Sequence, residues 1–127
     1  MIYITESQSS ITTIKEEMAL KAKEVGFGLL KEYSFREMLK EKGFPIEKDI
    51  TVFELCNPAA AQKVLSTHPE LSVYLPCRIS VYEKDEKIIL STVDIAEMLS
   101  DFELDNPLKE QMNNIFNNLK KIMSSWK

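Results

Sequence analysis

Apolar positions along the chain recur with two different periods, and the places where the period changes mark the predicted elements. Residues 1–4 are short, apolar and β-branched, a first strand, and residues 6–10 are polar and turn-like. Ile11, Ile14, Met18, Ala22 and Val25 then fall on one helical stripe, and Gly26 stands where a helix ends. Residues 27–33 alternate as a strand. Ser34 and Glu37 form a capping box for a short helix carrying Phe35, Met38 and Leu39, closed by Gly43 before Pro45. Residues 49–56 form a strand with Ile50, Val52 and Glu54 on one face and Thr51, Phe53 and Leu55 on the other. Asn57-Pro58 starts an alanine-rich helix running to about Leu65, stopped before Pro69. Residues 78–84 and 87–93 make a hairpin around Lys84-Asp85-Glu86-Lys87, a turn without the glycine that favours the tightest hairpins. Asp94 and Glu97 cap a short helix through Leu99. Asn106-Pro107 opens the longest helix, whose stripe is Leu108, Met112, Ile115, Leu119, Ile122 and Trp126.

The order β-α-β-α-β-α-β-β-α-α predicts an α+β fold: an antiparallel sheet with two main helices packed on one face. A doubly wound sheet needs regular parallel crossovers and a glycine-rich first turn, and the chain has only Gly26, Gly28 and Gly43. Several strands carry apolar side chains on both faces. The helices can cover one face only, so a homodimer is expected to bury the other.

Length and charge narrow the function classes. The chain of 127 residues fits a single α+β domain spanning residues 1–127. Sixteen basic against twenty acidic residues give a net charge of −4. That field opposes nucleic acid, whose binding depends on cations displacing counterions, and equally opposes anionic lipid. No apolar run reaches the ~18 residues of a membrane helix, and the first residues have no basic start, so a cytoplasmic protein is expected. The two cysteines, Cys56 and Cys77, are then expected as thiols.

Four segments carry a family resemblance: Gly26-Phe27-Gly28-Leu29-Leu30, Leu39-Lys40-Glu41-Lys42-Gly43, Cys56-Asn57-Pro58 and the run from Leu75-Pro76-Cys77-Arg78 through Glu83. In this order and spacing they resemble the domain of unknown function 302 family of small bacterial and archaeal proteins. The resemblance implies a TATA-binding-protein-like fold, a β-α-β4-α core with an antiparallel sheet, and a tendency to dimerise. It implies no activity. The chain departs from the family pattern at Leu55, Ser34 and Asp85-Glu86.

The chemistry worth weighing gathers around the cysteines. Cys56 ends a strand directly before a helix N-terminus, where unpaired amides and the helix dipole favour an anion. Cys77 opens a strand next to Arg78, a cation expected to favour the thiolate as well. A ligand site is therefore expected near Cys56, Asn57, Cys77 and Arg78, for an anion, a metal or another small molecule. Two alternatives stand beside it: an interaction homodimer with inert, buried cysteines, and a thiol-dependent redox protein. No Cys-x-x-Cys supports a thioredoxin-type mechanism. His68, the only histidine, sits where it complements a helix C-terminus, and the cysteines and His68 match no standard metal spacing, so no metal and no cofactor is assigned.

Overall fold

The computed structural model describes residues 1–100 and 103–127. Five strands, β1 (Ile2–Ser7), β2 (Gly28–Ser34), β3 (Thr51–Cys56), β4 (Cys77–Lys84) and β5 (Lys87–Val93), form one sheet in the order β1-β5-β4-β3-β2. Every adjacent pair is antiparallel. Between and after them lie α1 (Ile11–Glu24), α2 (Phe35–Glu41), α3 (Pro58–Thr67), a 3-10 helix (Pro69–Tyr74), α4 (Ile95–Leu99) and α5 (Asn106–Ser124). The expected α+β class holds, with α1 and α5 as the two main helices of a β-α-β4-α core.

Helix ends follow the polar signals. Ser10, Ser34, Asn57 and Asp94 each accept a hydrogen bond from the third backbone N–H beyond them. The cap of α5 is Asp105, one residue earlier than Asn106: its carboxylate takes the Leu108 amide at 2.8 Å, and an anion suits a helix N-terminus better than an amide. At the far end of α1, Gly26 adopts φ +84° and completes a Schellman closure, with Phe27 N–H reaching Ala22 O at 2.9 Å.

Two boundaries differ from the pattern. β1 continues through Glu6 and Ser7, where a polar turn was expected, because these residues pair with Ile89 and Ile88 of β5, and Trp126 then meets the strand's end. Ser7 Oγ donates to the Trp126 carbonyl at 2.7 Å, and the Gln8 amide donates to the same oxygen. Trp126 is buried there, its Nε1 donating to Glu17 at 2.8 Å under the Lys21 ammonium. The 3-10 helix after Pro69 was not expected at all; Leu71 is its one buried side chain.

One continuous core lies between the sheet and the helices. Ile14, Met18 and Ala22 of α1 and seven side chains of α5 meet Phe53, Leu55, Ile79, Val81 and Leu90. Strand alternation then sends the other set outward. Over β1 and β5 no described element covers that second face, where Ile2, Ile4 and Val93 are 66%, 54% and 47% exposed.

The hairpin forms its two-residue turn without glycine. Lys84 pairs with Lys87, and Asp85 and Glu86 take φ +52° and +65°. Both central residues lie in the left-handed region, the primed geometry that matches strand twist. A glutamate there costs about 1 kcal/mol relative to glycine. Asp85→Asn with Glu86→Gly should therefore raise unfolding stability by about 1 kcal/mol in urea titrations, with the denaturant slope unchanged.

Candidate functional site

β3 and β4 set the geometry of the expected site. Cys56 closes one strand and Cys77 opens its antiparallel neighbour, but the register pairs Cys77 with Leu55. Cys77 accordingly turns into the core with Leu55, while Cys56, one residue on, belongs by alternation to the other face. The thiols do not face one another across the ladder, and both are free. The crevice that Cys56, Asn57 and Cys77 border measures about 20 Å³, space for one water, closed in by Phe27, Leu55 and Ile115.

Each candidate residue has its own place. Asn57 Oδ1 is engaged as the α3 cap, accepting from the Ala60 amide at 3.1 Å. Cys77 is buried, and burial pushes its thiol up to about 11, against the opposing pull of Arg78. Arg78 favours the thiolate as expected, but desolvation is the larger effect and the net shift is upward. His68 ends α3, its Nδ1 2.9 Å from Thr67 Oγ1. Among the described residues no group of three or more His, Cys, Asp or Glu is placed to hold a metal.

On the opposite side of Cys77 lies a larger cavity of about 160 Å³. Its walls come from four parts of the chain. Leu75, Pro76 and Cys77 lead into β4, with a cis bond between Leu75 and Pro76; Thr92 and Val93 end β5; Ile95 and Met98 belong to α4; Met112 and Leu119 belong to α5. Val73 and Tyr74 flank it, and Arg78 is the one charged residue among the described residues lining it. The lining is mostly apolar, and Thr92 Oγ1 is already committed, donating to the Arg78 carbonyl at 2.6 Å.

Arg78 also belongs to a polar cluster on the uncovered face. It stands directly opposite Glu54, and its Nη2 lies 3.5 Å from Glu54 Oε2. Tyr33 on β2 donates its hydroxyl to the other oxygen of the same carboxylate. That hydrogen bond holds the Tyr33 phenol above its usual range, burial adding to it. Glu54 was visible in the sequence as an acid inside a strand. Tyr33 carried no signal, because its role depends on which strand lies beside β3. The cavity was equally invisible, since α4 and α5 follow the Cys77 segment in sequence and reach it only in the folded chain.

A model of the family described as "Domain of unknown function DUF302" matches residues 3–126. An uncharacterized protein of Aquifex aeolicus (strain VF5) is 33% identical over 54 residues, 42% of this chain and 38% of that relative's length. The crystal structure of an uncharacterized conserved protein DUF302 from Bacillus stearothermophilus matches with a TM-score of 0.88 at 25% identity, covering 99% of this chain and 98% of that one.

The Cys77 thiol generates a pH signature. It stays protonated in the fold while the unfolded thiol ionises near 9.0, so its contribution to stability is complete below pH 9 and is lost as pH rises toward about 11. The loss should amount to about 2–3 kcal/mol across that interval. In urea titrations Cys77→Ala should flatten the alkaline decline, and native Cys77 should resist iodoacetamide at pH 7.5 until the protein unfolds.

Proposed function

The chain belongs to the DUF302 family, a domain of unknown function, and from that premise we propose that it is a small binding domain whose cavity beside Cys77 takes one apolar, ring-sized group. The observation that carries this reading is the cavity itself, about 160 Å³ with an apolar lining. Cavities of about 150 Å³ lined by aliphatic and aromatic side chains hold benzene. Nucleotides and larger cofactors need roughly 300 Å³ or more. Methionines at Met98 and Met112 give the wall adaptable, polarizable side chains. The raised thiol disfavours Cys77 itself as a nucleophile.

Benzyl alcohol is a suitable neutral probe. Eight heavy atoms at about 0.6 kcal/mol each correspond to about −5 kcal/mol, a Kd near 0.2 mM. Amide NMR titration should show saturable shifts at Ile95, Met98 and Thr92. Met98→Phe, which fills the cavity, should weaken binding at least about tenfold while the remaining spectrum stays native. Shifts scattered over the surface, or none at 10 mM, would refute the reading.

A second reading rests on the uncovered face. We infer that β1 and β5 meet a second copy of the chain, supported by the exposure of Ile2, Ile4 and Val93 together. Several polar groups on that face are paired with one another, Glu54 with Arg78, Glu6 with Lys87 and Tyr82 with Ser91, which lowers the cost of covering them. Light scattering at tens of micromolar should give a dimer mass, and Ile2→Lys with Ile4→Lys should give a monomer; a monomeric parent protein would end this reading.

A further inference from the structure

We propose that the ligand of the cavity is a small monocarboxylate, an aromatic or short-chain acid whose tail fills the apolar space and whose carboxylate is received by Arg78. This rests on the cavity reading above and adds the chemistry of the head group. Among the described residues lining the cavity, Arg78 alone is charged, and none is acidic. A cationic ligand would find no counter-charge there. A dianion such as a phosphate monoester would need more than one cation. A single guanidinium matches a single carboxylate in charge and in its forked geometry.

Arg78 interacts on the open face with the Tyr33 hydroxyl as well as with Glu54. It is 53% exposed, and its 3.5 Å approach to Glu54 is longer than the roughly 2.7–2.9 Å of a good charge-assisted hydrogen bond. Glu54 keeps a partner if Arg78 turns away, because Tyr33 donates to its other oxygen. Ser80, two residues along β4, pairs with Ser91, two residues before Val93, and Thr92 is tied to the Arg78 carbonyl. Arg78 lines the cavity while its guanidinium lies against Glu54 on the open face, so receiving a carboxylate requires the side chain to leave Glu54 and swing round the end of the sheet, where Cys77 opens β4 and Val93 closes β5. The net charge of −4 gives anions no general attraction to this protein, so a preference for the acid would be local to Arg78.

The test compares benzoate with benzyl alcohol on the full chain, by NMR titration at low salt. Benzoate should bind at least fivefold more tightly. Arg78→Met should bring the ratio of the two affinities close to one, and Glu54→Gln, which frees the guanidinium, should tighten benzoate several-fold. If benzyl alcohol binds in the cavity and benzoate binds no better, the cavity reading stands and the carboxylate is overturned. An acid preference that survives Arg78→Met overturns it as well. If neither probe shifts the cavity amides, the cavity reading falls and takes this inference with it.

Discussion

Seven side chains of α5, Leu108, Met112, Ile115, Phe116, Leu119, Ile122 and Met123, are buried along one helix of 19 residues. At about 1.5–3 kcal/mol each, their burial is as large as the whole net stability of a typical domain, so the core does not hold without this helix. The helix is about 28 Å long, enough to cross all five strands. Covering the core face so fully leaves the other face of the sheet without a layer.

The β3–β4 register is the second constraint. Pairing Leu55 with Cys77 sends Cys77 into the core and, one residue later, Arg78 to the open face opposite Glu54. Two adjacent residues thus present a buried thiol to the core and a guanidinium to the open face. A slip of one residue would exchange them, placing a guanidinium in the core and a thiol in solvent. Thr92 locks the arrangement from the other side through its bond to the Arg78 carbonyl.

Polar residues that looked chemical in isolation turn out to be employed in holding the fold together. Asn57 caps α3, His68 closes it, and Asp94 caps α4. The Asn57 and Asp94 side chains satisfy backbone amides that would otherwise be unpaired, and His68 Nδ1 lies against Thr67 Oγ1. Glu54 and Arg78 differ, because neither caps anything and their ion pair is open to water on one side. Such a pair contributes little to stability and is free to exchange partners, which a residue serving a ligand requires.

Element types were legible in the sequence because they depend on local physics. Helical spacing of Ile14, Met18 and Ala22, alternation through Phe53 and Leu55, and the caps at Ser34, Asn57 and Asp94 all act within a few residues. The family segments were legible for the same reason, as runs of neighbouring residues. Strand order, the extension of β1 along β5, the outward turn of Cys56 relative to Cys77 and the cavity beside Pro76 were decided only in the folded chain. Each depends on which distant segments become neighbours and in what register, and an amphipathic pattern specifies that a face must be buried without specifying against what.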